Sequence, residues 1–247
     1  MKICLALAPL LLLSVSAFAG EKVIGLLMGK QEVTIRSKAQ GEVTKIAVRE
    51  GDAVKEGDSL AVLDGRQKQL EVDIARVELD NAKNAFFRAK KLGDVLSEEE
   101  LEQKKAAYLT KKTQLEIKQV ALENTQITST ISGVVARKYF DKGDSIAIGD
   151  KVFDIVQMDE LLLKLFVPAT GAENLKVGSE LGFKTEFHQN RIFKGTVTQI
   201  SPVIDAVSGT VRVRVAVPNP KTPTGTFELK PGMLVTLEPL SAAAQGQ

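Results

Sequence analysis

Gly41-Glu42-Val43-Thr44-Lys45-Ile46-Ala47-Val48-Arg49-Glu50-Gly51-Asp52-Ala53-Val54-Lys55-Glu56-Gly57-Asp58-Ser59-Leu60-Ala61-Val62-Leu63 decides the fold, because the chain carries it twice. The second copy begins at Gly133-Val134-Val135. It continues through Gly143-Asp144 and Gly149-Asp150 to Val152-Phe153-Asp154-Ile155. A shift of 92 residues lays one copy on the other without a gap. Gly41, Val43, Gly51, Asp52, Gly57 and Asp58 then all meet identical residues. Each copy reads as short strands broken by Gly-Asp turns, since Gly supplies the backbone angles that tight turns need and Asp bonds its own backbone. Two such halves pair into a flattened β sandwich of the biotinyl/lipoyl type, expected over 39–64 and 131–158.

The segment between the copies, expected over 65–130, is helical. It holds no proline and, apart from its ends, one glycine, with Ala, Leu, Glu, Lys and Gln dominant; these are strong helix formers. Val72, Ala75, Leu79, Ala82, Phe86 and Ala89 are spaced 3-4-3-4-3, a coiled-coil seam. Gly93 suits the left-handed residue just past a helix C-terminus. Ser97-Glu98-Glu99-Glu100 then starts a second helix as a capping box, with carboxylates at the positive end of the dipole. Leu101, Tyr108, Leu115 and Leu122 recur every seven residues in this weaker second seam. Each arm spans about 27 residues, roughly 40 Å at 1.5 Å per residue. The short connection makes the arms antiparallel.

From Leu161 the pattern turns to β. Leu161 to Val167, Glu180 to Phe187, Phe193 to Ile200, Thr210 to Val217 and Met233 to Leu237 are strand-like runs punctuated by Pro and Gly. Val211, Val213 and Val215 alternate with Arg212 and Arg214, the period of a half-buried strand. A small β-barrel is expected over 159–240, followed by a disordered tail, 241–247. The N-terminal stretch 20–38 leads into the β modules; Val23 to Leu27 and Glu32 to Arg36 are both expected to add strands to the barrel. The fold class is therefore mainly β, a split lipoyl-like sandwich plus a small barrel, with an inserted helical hairpin.

Met1 to Ala19 reads as a cleavable secretory leader: basic Lys2, an apolar run from Ile3 to Val15, and Ala17-Phe18-Ala19 as the cleavage site. The lone cysteine, Cys4, leaves with it, so disulfides and thiolate metal sites are excluded from the mature chain. Loss of Lys2 leaves 32 basic against 31 acidic residues, a balance that gives no footprint for nucleic acid. An enzyme is not expected. His188 is the only histidine and reads as a surface residue at a strand end or turn, and the Gly-Asp aspartates are turn residues first. No metal site is expected, as Met28, Met158 and Met233 are scattered. A carrier domain would present a modified lysine on a hairpin joining the halves. Here the first lysine after the first half, Lys68, is already inside the helix, so no cofactor is expected.

These residues resemble the periplasmic adaptor, or membrane fusion, proteins of tripartite efflux pumps, the HlyD/RND-type adaptor family. The resemblance covers nearly the whole mature chain. Gly41 to Asp58 with Leu63-Asp64 looks like that family's first lipoyl half, and Ile127 with Ile131-Ser132-Gly133-Val134-Val135 like its re-entry into the second. Phe193-Lys194-Gly195-Thr196-Val197, Ile200-Ser201-Pro202, Ser208-Gly209-Thr210-Val211 and Pro231-Gly232-Met233 resemble its barrel signature. The resemblance implies a ring, typically hexameric, linking an inner-membrane transporter, RND type favoured, to an outer-membrane channel across the periplasm. An adaptor of an ABC-type exporter or type I secretion system is the alternative. It also implies that Arg88, Leu92 and Ser97 at the hairpin tip dock the channel. The chain ends soon after Met233, so the barrel alone is expected to meet the transporter. Intact mass of the secreted protein should equal the unmodified chain from Gly20; an added lipoyl or biotinyl mass on any lysine would restore the carrier reading.

Overall fold

Each Gly-Asp turn closes in the same way. Gly51, Gly57, Gly143 and Gly149 all have φ between 87° and 95°, the left-handed region that side chains with a Cβ avoid. The aspartate after each glycine accepts a bond from the backbone N–H three residues before it: Asp52 from Arg49, Asp58 from Lys55, Asp144 from Asp141 and Asp150 from Ala147, at 2.7–2.8 Å. This four-fold recurrence is the local unit from which the sandwich is assembled.

The computed structural model describes residues 23–92, 97–173, 175–222 and 225–237. The expected leader, the Gly93 turn and the tail at 241–247 lie outside them, as does the side chain of Leu92. In chain order the elements are β1 (Ile24–Gly29), β2 (Glu32–Arg36), β3 (Gly41–Ile46), β4 (Ala53–Val54), β5 (Ser59–Leu63), α1 (Arg66–Leu92) and α2 (Glu98–Glu123). There follow β6 (Gln126–Thr128), β7 (Gly133–Lys138), β8 (Ser145–Ile146), β9 (Lys151–Val156), β10 (Glu160–Pro168) and the short α3 (Ala169–Ala172). The chain closes with β11 (Glu180–Thr185), β12 (His188–Ile204), β13 (Thr210–Pro218) and β14 (Leu234–Leu237). Two compact units divide it. One is Leu27–Leu162 with Ala216–Gly232, holding the sandwich with α1 and α2. The other takes in Leu163–Val215 and the described residues before Leu27 and from Met233 on, and holds most of the barrel.

The sandwich has two four-stranded sheets, β2-β9-β7-β4 and β6-β5-β3-β8. The 92-residue shift carries each sheet onto the other, so every sheet mixes strands of both halves. The halves also exchange backbone bonds reciprocally. Gly51 N–H donates to Val135 O and Val135 N–H to Asp52 O; the shifted pair is Gly143 to Val43 and Val43 to Asp144, all at 2.8–3.0 Å. Gly57 and Asp58 exchange with Ser129 as Gly149 and Asp150 do with Ser37. Ser37 and Ser129 each turn their hydroxyl back to the carbonyl two residues on, Ala39 and Ile131. Val43, Val135, Leu60, Val152, Leu63, Ile155 and Phe153 fill the core between the sheets, with Phe140 set edge-on to Phe153 at 5.2 Å.

Two expectations need correction. Glu32–Arg36 joins the sandwich, where β2 pairs antiparallel with β9, and not the barrel; Ile35 is buried in the sandwich core. The helical insertion also stops before 130. α2 ends at Glu123, and Gln126–Thr128 pairs with β5, because Ile127 is buried with the sandwich. The repeat is thus longer than Gly41 onward, with Ile35 matching Ile127 and Ser37 matching Ser129.

The barrel closes in the order β1-β10-β13-β12-β11-β14. Val211, Val213 and Val215 of β13 point inward with Leu163, Leu165, Phe183 and Val197, while Arg212 and Arg214 face outward. That is the alternation the sequence requires of a strand with one solvated face.

The two equivalent glycines that open the half-motifs have different surroundings. A Cβ on Gly133 meets Val156 O at 2.5 Å, whereas on Gly41 the nearest atom is Leu63 Cβ at 3.4 Å. Gly133→Ala should therefore destabilise the unit by about 1–3 kcal/mol in denaturant unfolding. Gly41→Ala should stay within about 0.5 kcal/mol of the parent.

Candidate functional site

The helical hairpin is built on a locked base. Asp64 accepts from Arg66 N–H at 3.0 Å and clasps the Arg66 guanidinium in a fork. These bonds, the side-chain ones foremost, hold its carboxyl down at about 2. Leu63 N–H donates to Thr125 O at 2.8 Å, and Thr125 Oγ1 returns to Leu122 O. The two helices therefore leave and re-enter the sandwich side by side.

Above the base the seam closes as the spacing predicts. Val72, Ala75 and Ala89 are buried, and Leu79, Ala82 and Phe86 half-buried. In α2 the heptad positions Leu101, Tyr108, Leu115 and Leu122 are half-buried, and no residue of that helix is fully buried. The helices have 27 and 26 residues. The proximal half is braced across the seam by Lys111–Glu78 at 2.7 Å and Lys118–Glu71 at 2.8 Å. The Lys118 ammonium, aided by Lys68, holds the Glu71 carboxyl below its usual range. The distal half is braced by Phe86 stacked on Tyr108, centroids 5.9 Å apart and planes 3° from parallel.

At the distal end Arg88 is exposed on the outer face of α1. It lines a shallow groove with Asn81, Asn84, Phe87 and Lys91. Phe87 follows a seam residue in sequence, so helical geometry turns it outward, 45% exposed. It was missed by the sequence reading because one aromatic beside a seam position carries no periodic signal. Ser97 lies just before α2 with extended backbone, and its Oγ accepts from Glu100 N–H at 3.2 Å. Glu100 makes no return bond to the Ser97 N–H among the described residues. Lys83, Arg88, Lys90 and Lys91 on α1 face no carboxylate within ion-pair distance among the described residues. Lys90 and Lys91, in its last turn, suit the negative end of that helix, as Glu98, Glu99 and Glu100 suit the positive end of α2. Arg88 and Ser97 thus belong to one end of the hairpin, which offers a charged, partly aromatic surface, basic on α1 and acidic at the start of α2, with nothing folded over it among the described residues.

The sandwich halves match a family described as RND MFP, barrel-sandwich hybrid domain, over residues 31–158, just over half of the sequence. The chain belongs to this family of membrane fusion proteins. The barrel matches a second description, CusB-like, beta-barrel domain, over 163–243. Among curated relatives, the nodulation protein NolF of Rhizobium meliloti is 26% identical over 216 residues, covering 80% of this chain and 58% of its own. The multidrug resistance protein MdtA of Escherichia coli is 28% identical over 219 residues, covering 77% and 52%. The chain thus spans little more than half the length of these relatives. Among solved structures, a MacA–MexA chimera carrying the Pseudomonas aeruginosa MexA α-hairpin domain superposes with a TM-score of 0.77. The match is at 20% identity and covers 88% of this chain and 79% of the chimera. The membrane fusion protein Spr0693 of Streptococcus pneumoniae gives 0.67 at 22% identity, covering 87% and 99%. Both likenesses establish the membrane fusion protein fold.

Ser97→Ala should cost about 1 kcal/mol through loss of the cap, seen as a lower thermal midpoint of the helical signal. Arg88→Ala should leave that midpoint nearly unchanged, with a change within about 0.5 kcal/mol.

Proposed function

We propose that this membrane fusion protein is the periplasmic adaptor of a tripartite efflux pump. In this reading the leader carries it through the inner membrane. Copies assemble into a ring, typically six, that links an RND-type inner-membrane transporter to an outer-membrane channel. It acts without catalysis and without a cofactor. The observation that carries the reading is the hairpin itself. Its seam is closed within the chain, yet its distal end leaves Phe87, the cations Lys83, Arg88, Lys90 and Lys91 of α1 and the carboxylates Glu98, Glu99 and Glu100 of α2 uncovered. Exposing such a surface does nothing for the folding of a helix pair, whereas docking it against another protein's helical end is favourable. The RND family match favours that class of transporter, and the name of the relative MdtA, a multidrug resistance protein, agrees with export.

In the docked state Arg88 bonds carbonyls or carboxylates of the channel, Leu92 is buried against it, and Ser97 keeps α2 capped. Leu92→Asp should abolish co-purification with the channel, and export by the assembled pump, while helicity and thermal midpoint stay near those of the parent. Normal export by Leu92→Asp, or failure only through unfolding, would overturn the docking role.

A further inference from the structure

The turn between β12 and β13 carries the most exposed apolar side chain described in the chain. Val207 is 99% exposed, Val203 69% and Ile204 55%. None of the six residues at the end of β12, from Gln199 to Ile204, is buried, so this hairpin extends past the barrel interior that Val197 still lines. A soluble surface gains nothing from an aliphatic tip of this kind, and the turn does not need one. It is closed by Asp205, whose carboxylate accepts from Val207 N–H, Ser208 N–H and Ser208 Oγ at 2.9–3.0 Å. The only charge at the tip is therefore folded back into the turn's own donors.

The strand surface flanking the turn is cationic, with the turn's own Asp205 carboxylate within electrostatic reach of Arg212. The bond from Ala169 N–H to Gly209 O, 3.1 Å, ties the end of β10 to this turn. The outward positions of β10 and β13 beside it are Lys164, Phe166, Arg212 and Arg214. No carboxylate stands among them. Lys164 lies over the Phe166 ring at 5.6 Å, and Arg214 reaches Gln199 of β12 at 3.1 Å. An aliphatic wedge backed by cations matches the interface of an anionic bilayer, where acyl chains accept the wedge and headgroup phosphates attract the cations. Valine, which supplies two of the three tip side chains, is under-represented among the anchors of protein–protein interfaces, where Trp, Tyr and Arg lead.

We propose that the β12–β13 hairpin is a membrane-surface anchor: Val203, Ile204 and Val207 enter the headgroup region of an anionic bilayer, and Lys164, Arg212 and Arg214 hold the phosphates. This assignment is independent of the adaptor reading, because it concerns lipid alone. The test uses the chain from Gly20, the form expected after leader removal, with vesicles of phosphatidylcholine alone or mixed equally with phosphatidylglycerol.

Sedimentation should show binding to the anionic vesicles at least about tenfold tighter than to the neutral ones, lost at high salt. Ile204→Asp with Val207→Asp should weaken it at least about tenfold, and Arg212→Gln about fivefold, the worth of one cation near such a surface. A polarity-sensitive dye on Val207→Cys, the only thiol in that chain, should shift to the blue with anionic vesicles and so report insertion even if the double variant folds poorly. Absence of binding, binding unchanged by the aspartates, or a dye that stays in water would overturn the anchor. So would cross-linking of the introduced thiol to a second copy in place of a spectral shift.

Discussion

The sandwich depends on the exchange of backbone hydrogen bonds between its two halves. Gly51 and Asp52 trade with Val135 as Gly143 and Asp144 trade with Val43. Each trade needs a turn that places an N–H and a C=O on one edge. Glycine at positive φ, followed by an aspartate that fixes the preceding N–H, supplies that geometry. Because these donors of one half serve acceptors of the other, neither half satisfies all of its own backbone. The apolar core between the sheets depends in turn on this lattice, since each sheet sets two central strands of one half between edge strands of the other.

Hairpin and barrel are attached to this lattice at equivalent places in the repeat. The first half runs from β5 into α1, and the second from β9 into β10. A duplicated module has two equivalent exits, and this chain has used one for a reaching element and the other for a globular one. The glycines record how far the copies have drifted. Gly41 has room for a methyl group and Gly133 has none, so the same residue persists for different reasons in the two halves.

Turn chemistry and helix periodicity were legible in the sequence because both are local. The Gly-Asp pairs, the seam from Val72 to Ala89 and the Val/Arg alternation of β13 each lie within a single element. The partner of Glu32–Arg36 was not legible. A five-residue strand states which face it buries but not which strand it pairs with, and its partner β9 lies about 120 residues away. Ile35 and Ser37 were overlooked as members of the repeat since neither marks a turn. At the hairpin tip, Arg88, Leu92 and Ser97 were named through the family resemblance, whereas the exposure of Phe87 needed the helix pair to show which way that position faces.

The bond between Leu63 and Thr125 has a consequence for how the chain comes together. These residues are roughly sixty apart along the chain, a separation whose closure as a flexible loop carries an entropic cost growing with the logarithm of its length. α1 and α2 form from neighbouring residues, on the fast timescale of helix growth, and their zipped bases deliver both ends to within 2.8 Å. The longest insertion in the sandwich therefore acts as its shortest splice, presenting the second half of the repeat to the first as if little chain lay between them.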